Sequence, residues 1–376
     1  MGARAHDKVA TGGENLLMDV ALKIWRFDPE TGERALKHYD VEAPEWACLL
    51  DVLDIVKDQV DGTLGFRKSC RMMICGSCGM RMDGRAILAC KERMKPIADA
   101  GHVPVISAMG NLPILKDLVV DMEPFWGKVR AMKPWLDPGY EEPSAKERIV
   151  SQQQMNVIHK EALCIMCGCC VSECNSMESD PEFLGPAALA KGFRFVGDVR
   201  DQADVARLNE YNQEHGIWDC TRCYFCNERC PKGVDPRDAI AKLGAESIRL
   251  NVDHDMGAKH ARWFVKSAET TGWLRETELV PKTQGTLSAI KQIGFALNLA
   301  KHGKVPPPFP PHVAKNVREA RDLHDLVREQ GREGALGIVQ GEHALAQIEH
   351  VLSADPDSAP ASRIAPERSG GKSGGD

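Results

Sequence analysis

Apolar and polar positions alternate from Val20 to Phe27 and again from Arg34 to Val41, with Asp28-Pro-Glu-Thr-Gly32 between them. Alternation with period two, interrupted by turn-forming residues, predicts a β-hairpin. The period then lengthens. Leu49, Leu53, Val56 and Val60 recur at offsets of 4, 7 and 11, one face of a helix. Further on, Met80-Arg-Met82 and Ala86-Ile-Leu88 flank Asp83-Gly84, and Asp-Gly accepts the positive φ that a tight hairpin needs. Two strands, a helix, a loop and a hairpin describe a small mixed sheet packed on a helix.

After about residue 126 the pattern changes. Trp126-Gly127, Lys133-Pro-Trp135 and Asp137-Pro-Gly139 make a connector, and Ser144 with Glu147 forms a capping box for a helix running towards Leu163. Helical periodicity then dominates, including Pro236 to Leu250. Beyond it, Leu287, Ile290, Ile293 and Leu297 form an apolar helical stripe, followed by the proline run 305–311. Such a stripe usually packs into its own subunit, and this reading carries more weight than docking on a membrane partner. The divisions expected are a flexible tail over 1–17, a first domain over 18–125, a connector over 126–143, a helical domain over 144–250, a helical extension over 251–352 and a disordered tail over 353–376.

Composition narrows the function. The 376 residues are 43% hydrophobic, ordinary for soluble protein, and 48 basic against 54 acidic residues give a net charge of -6. Nucleic-acid binding, which calls for a basic excess, is set aside. The N-terminus has no apolar signal core, and no stretch approaches the ~20 apolar residues that span a bilayer, so a soluble or peripheral protein is expected. Fourteen cysteines in a chain of this length, without a secretion signal, point to metal binding rather than to a disulfide scaffold.

The cysteines fall into three groups. Cys70, Cys75 and Cys78, with Cys90 following after eleven intervening residues, have the spacing of a plant-type [2Fe-2S] ferredoxin loop. Gly65, Gly76 and Gly79 are read as letting backbone N–H groups approach the cluster. Zinc is the competing ion, but structural zinc sites pair two separated Cys-x2-Cys knuckles. Cys164, Cys167, Cys170 and Cys174 repeat the bacterial ferredoxin run, as do Cys220, Cys223, Cys226 and Cys230 before Pro231. In two-cluster ferredoxins the fourth cysteine of each run ligates the other cluster. The crossed sets are then Cys164, Cys167, Cys170 and Cys230 for one [4Fe-4S] cluster, and Cys174, Cys220, Cys223 and Cys226 for the other. Cys48 and Cys169 are left over, the first read as a small core residue and the second as packing without binding iron. His159, His215 and His302 are read as surface or core residues. No nucleophilic triad, phosphate loop or zinc-protease motif is visible, so the chain offers electron carriers and no substrate-converting site.

This order of motifs resembles the iron-sulfur subunit of succinate dehydrogenase and fumarate reductase. The resemblance spans about residues 18 to 250 and rests on Cys70-Arg-Met-Met-Ile-Cys-Gly-Ser-Cys78, Cys164-Ile-Met-Cys-Gly-Cys-Cys170, Phe183-Leu-Gly-Pro-Ala187 and Cys230-Pro-Lys-Gly233. It implies an α+β fold: a β-grasp ferredoxin-like domain, an all-α domain with two cubane sites, and a helical extension. It also implies electron transfer between an FAD-bearing flavoprotein subunit, facing the first domain, and a membrane anchor with its quinone, facing the second. The expected place is peripheral, on the cytoplasmic face of the inner membrane.

Three departures stand out. Most of the family lacks a cysteine where Cys223 stands and carries [3Fe-4S] there, so this chain resembles the less common form with two [4Fe-4S] clusters; [3Fe-4S] without Cys223 is the alternative. The quinone-pocket Trp and His of the family fall at Ser179 and Thr221, while Ser176 is retained, leaving Ser176 and Thr221 as quinone-proximal candidates. The extension after Leu250 is unusual. The competing function is the iron-sulfur subunit of another flavoenzyme or of a heterodisulfide-reductase-like complex.

Overall fold

The computed structural model describes residues 16–138, 149–252, 255–304 and 313–330. The Ser144–Glu147 capping pair, the proline run and the C-terminal tail lie outside these, as does nearly all of the N-terminal tail.

Strands β1 (Leu17–Phe27) and β2 (Arg34–Pro44) pair antiparallel along their whole length, from Leu17 opposite Pro44 to Phe27 opposite Arg34. Helix α1 (Leu49–Ile55) follows, then β3 (Gly79–Met82), β4 (Arg85–Leu88), helix α2 (Lys95–Asp99) and β5 (Val105–Ser107). The five strands form one sheet in the order β2-β1-β5-β3-β4, with β1 and β5 parallel. Asp83 and Gly84 take φ of 50° and 76°, the left-handed turn that closes the β3–β4 hairpin. Met18, Val20, Leu22 and Ile24 point from β1 into the core against Leu49, Leu50 and Leu53 of α1. Val60 was expected on that same face. It is instead 56% exposed, because Val56–Val60 widens into a π-turn whose last hydrogen bond, Asp61 N–H to the Val56 carbonyl, spans five residues.

The alternation of β1 also drives Arg26 inward. Its Nε donates to Asp117 Oδ1 at 2.9 Å and its Nη1 to the Tyr39 hydroxyl at 2.7 Å. Asp117 in turn accepts from the Gly65 N–H at 2.7 Å. Asp117 sits between the short strands β6 (Ile114–Lys116) and β7 (Val119–Val120), so the buried guanidinium ties the sheet to the segment that leaves the domain.

Helix α3 (Glu123–Ala131) runs across the expected connector boundary. Arg207, buried beside Asp201, donates to the carbonyls of Met132, Lys133 and Trp135 at 3.0, 2.7 and 2.6 Å and so fastens the connector to the helical domain. Helix α4 (Gln152–Ala162) begins later than expected. Its capping box is Ser151 with Gln154, whose side chains exchange hydrogen bonds with each other's backbone N–H. The short helices α5 (Cys169–Ser172) and α6 (Asn175–Ser179) lead to α7 (Pro186–Val196), nine of whose eleven residues are buried. A helix buried on most of its surface belongs at the centre, and α7 packs on α3, α4, α8 (Asp204–Tyr211) and, past the short α9 (Phe225–Glu228), on α10 (Pro236–Arg249). The extension adds α11 (Met256–Thr271), α12 (Glu276–Thr283), α13 (Thr286–Lys291), α14 (Ile293–Lys301) and α15 (Val317–Gln330), with α11 packed on α12 and α15. Among the described residues, no helix is long and apolar enough to cross a membrane.

The two domains meet without a gap. A Cβ on Gly76 would stand 2.8 Å from both Cα and Cβ of Cys167, and one on Gly79 would stand 3.1 Å from the Cys167 carbonyl oxygen. Cys169 is fully buried among the core residues of the first domain. Arg81 donates to Glu173 Oε1 at 2.7 Å, and Asn111 donates to the carbonyls of Val171 and Cys174 at 2.8 and 2.9 Å.

Gly76 has φ of +71°, so Gly76→Ala meets both backbone strain and a clash, together about 2–5 kcal/mol. Gly84→Ala, at +76° with nothing within 4 Å of a new Cβ, meets the strain alone. Thermal unfolding should show Gly76→Ala melting clearly below Gly84→Ala. Equal melting points would mean that the domains do not pack at Gly76.

Candidate iron-sulfur centres

All fourteen cysteines lie among the described residues, and none is in a disulfide. The first group is shaped by the loop between α1 and β3. Arg71, Met73 and Gly76 take positive φ of 58°, 59° and 71°, which curls the chain so that successive N–H groups turn inward. The N–H groups of Met72, Ile74 and Cys75 all point at Cys70 Sγ, at 3.4, 3.3 and 3.3 Å. Burial alone would raise the Cys75 thiol, but hydrogen bonds from Ser77 Oγ at 3.0 Å and from the Cys70 N–H outweigh it and bring Cys75 down to about 6. The fourth member arrives through the hairpin. Gly79 pairs with Leu88 across β3 and β4, so Cys78 and Cys90, just beyond the two strand ends, become neighbours. Burial, with the charges of Cys90 and Cys75, pushes Cys78 up to about 12.

Two of the three glycines spend their own N–H groups elsewhere. The Gly65 N–H is taken by Asp117 and the Gly79 N–H by the Gly76 carbonyl at 3.3 Å. Gly76 and Gly79 serve by leaving room for Cys167, and the inward N–H groups come from Met72, Ile74 and Cys75.

The other two groups share one backbone shape. Counting from the first cysteine of each run, the second and fourth residues after it have positive φ: Met166 (56°) and Gly168 (81°) in one, Arg222 (56°) and Tyr224 (66°) in the other. Tyr224 holds there a conformation that costs a side-chain-bearing residue roughly 1–2 kcal/mol. Cys164, Cys167, Cys170 and Cys230 together line one cavity. Burial raises the Cys164 thiol, and neighbouring Cys167 and Cys230 add to it. In the other set burial, then Cys220, Cys174 and Cys223, push Cys226 up to about 12. Fully buried Cys170 is raised well above its ordinary value by burial, and Cys226 is among the charges that add to this. The two sets are therefore adjacent.

Buried thiols crowded in this way resist ionising on their own, and a cationic metal core is what lets such a set exist as thiolates. Three groups of four cysteines, with N–H groups aimed at Cys70, Cys75 and Cys230, suit iron-sulfur clusters.

Two cysteines stand apart. Cys48 is half-buried and caps α1: Asp51 Oδ2 accepts from its N–H at 3.0 Å and from its thiol at 2.9 Å, a capping role that the reading as a core residue missed. The Cys169 thiol hydrogen-bonds to Cys167 and brings that sulfur down to about 7, and its Sγ lies 3.7 Å from the Ile87 carbonyl oxygen. Ser176 is buried, and its Oγ accepts from the Thr221 N–H at 3.1 Å, so the two quinone-proximal candidates touch. Sequence reasoning did not place the extension here. A groove of about 660 Å³ runs beside Cys220 between Trp218, Met256, His260 and Phe264, reaching Thr283 and Gln284 at the end of α12. Nothing in cysteine spacing signals it.

These features define an iron-sulfur electron-transfer protein. Residues 21–127 match the model of a 2Fe-2S iron-sulfur cluster binding domain, and residues 162–234 that of a 4Fe-4S dicluster domain. The fumarate reductase iron-sulfur subunit of Haemophilus influenzae is 36% identical over 241 residues, covering 61% of this chain and 93% of the relative. The 8-methylmenaquinol:fumarate reductase iron-sulfur subunit of Wolinella succinogenes is 33% identical over 290 residues, covering 76% and 90%. A chain of the Mycobacterium smegmatis Sdh1 complex in the apo form shares the fold, with a TM-score of 0.55 and 24% identity over 64% of this chain and 99% of that one. The chain belongs to the family of iron-sulfur subunits of fumarate reductase and succinate dehydrogenase, with [2Fe-2S] in its first domain and [4Fe-4S] in its second.

His215 sits between carboxylates, with Nδ1 2.7 Å from Asp180 Oδ2 and Nε2 3.0 Å from Glu182 Oε2. The hydrogen bond to Asp180 raises the imidazole above its ordinary 6.5. The folded state therefore favours the charged ring, and the clamp is complete below pH 6.5 and lost as pH rises through the raised value. An NMR titration should find His215 titrating above 6.5 and falling towards it in Asp180→Asn, with Glu182 still in place; a normal value in the wild type would contradict the clamp.

Proposed function

We propose that Cys70, Cys75, Cys78 and Cys90 hold the [2Fe-2S] cluster, that Cys164, Cys167, Cys170 and Cys230 hold one [4Fe-4S] cluster, and that Cys174, Cys220, Cys223 and Cys226 hold a second. When bound, the clusters supply one-electron carriers, and the chain's part is to space and shield them. The observation that carries the reading is the shared backbone of the two runs, which gives Cys223 the same conformational setting as Cys167. An uncrossed pairing would have to reach across α5 and α9, which carry the chain from Cys170 to Cys174 and from Cys226 to Cys230. The alternative, [3Fe-4S] without Cys223, needs that thiol turned away from a cluster held by Cys174, Cys220 and Cys226.

Packing supports an order for the relay. The Cys70 loop abuts Cys167, Cys170 neighbours Cys226, and the Cys220 set is the far end. An FAD-bearing flavoprotein subunit then belongs beside the first domain, and a membrane anchor with a quinone beside Cys220, near Ser176 and Thr221. On this reading the chain sits peripherally, at the cytoplasmic face of the inner membrane. Support comes from the relatives, whose names are those of fumarate reductase and, in Wolinella, of a menaquinol-linked enzyme.

Cys223→Ser decides the nature of the last cluster, because a cubane needs four protein ligands and Cys174, Cys220 and Cys226 supply three. Anaerobically prepared wild type, oxidised, should give little paramagnetic signal from this site, and the variant should gain the resonance of an oxidised [3Fe-4S] centre. A strong [3Fe-4S] resonance in the intact wild type would overturn the assignment.

A further inference from the structure

The apolar stripe of the extension does not pack into its own subunit, contrary to the weight given that reading. Leu287 is 76% exposed and Phe295 64%, with Ile290, Ile293 and Leu297 exposed beside them. No residue of α13 or α14 is buried. A helix this apolar left in water calls for a cover.

We propose that α13 and α14 lie in the interface of an anionic lipid bilayer, with their apolar side chains in the acyl boundary. Charge selects the lipid. Although the chain carries a net charge of -6, the forty residues from Leu279 to Arg318 contain no Asp or Glu, yet carry five lysines and Arg318. Lys291, Lys301 and Lys304 stand exposed among the apolar residues. Lysines flanking an exposed apolar helical face are the pattern that binds a negatively charged membrane surface in plane. The helices have six and nine residues, too short to span the roughly 20-residue thickness of a bilayer core. Position agrees with this role. Thr283 and Gln284, just before α13, line the groove beside Cys220, so the lipid-facing helices spring from the proposed acceptor end. The chain would then touch the membrane directly, in addition to any anchor subunit.

The test needs only vesicles, and its failure leaves the cluster assignments standing. The full-length, cluster-loaded chain is floated with vesicles of phosphatidylcholine alone and with equimolar phosphatidylcholine and phosphatidylglycerol. The wild type should bind the anionic vesicles at low salt, and much less at high salt or without phosphatidylglycerol. The triple variant Leu287→Ser, Ile293→Ser, Leu297→Ser should bind roughly ten-fold less, with the visible absorbance of the clusters unchanged. The triple variant Lys291→Glu, Lys301→Glu, Lys304→Glu should lose binding to the anionic vesicles to a similar extent. Absence of wild-type binding, or unchanged binding in either variant, overturns the proposal. If the vesicles retain nothing and the serine variant instead loses a copurifying subunit, the face is a protein contact and the lipid proposal falls.

Discussion

Everything in this molecule depends on how closely the loop 164–170 is seated on the first domain. Gly76 has no side chain, and Cys167 fills the space where one would be. Cys169 goes further and completes the first domain's core, at zero exposure. Arg81 and Asn111 then hold residues 171–174 from the other side. A run that carries cofactor ligands thus also serves as a structural part of its neighbour. The consequence is electrical as well as mechanical, since electron transfer falls steeply with distance and this seating brings the Cys70 loop against the Cys164 run.

The rest of the arrangement follows from local geometry. Each run curls through two left-handed residues at matching positions. A short helix, α5 or α9, then carries the chain away before the fourth cysteine. With the proposed ligand sets, that displaced cysteine serves the other run's cluster, which would staple the helical domain twice across its middle. Burial raises most of these thiols, and the crowding that makes a bare set costly becomes favourable once a cationic core is present. The central helix α7, buried on nearly every side, is the floor on which the helices around both runs rest.

Sequence patterns expose those features that short-range chemistry decides. Cysteine spacing reflects the reach of a loop around a cluster, and β1, β2 and the Asp83-Gly84 hairpin follow period and turn chemistry that act over a few residues. Long-range effects escape such reading. Arg26 falls on an inward position of β1, and its partners lie 13 to 91 residues away. Val60 leaves the core because a single π-turn shifts the helical phase. The work of Gly76 and Gly79 is set by Cys167, which approaches from the other domain. The stripe at Leu287 was readable as helical, although it is divided between α13 and α14 at Gln292, and its exposure depends on what else the chain could have packed there.

The most direct test of a continuous relay is magnetic. Unpaired spins on neighbouring centres broaden each other's resonances and speed their relaxation, and both effects fall off sharply with separation. The [2Fe-2S] resonance should be recorded in protein poised so that this centre alone is reduced, and again in fully reduced protein. The packing of Gly76 on Cys167 predicts a broader, faster-relaxing [2Fe-2S] signal in the fully reduced state; an unchanged line shape and relaxation rate would contradict the relay.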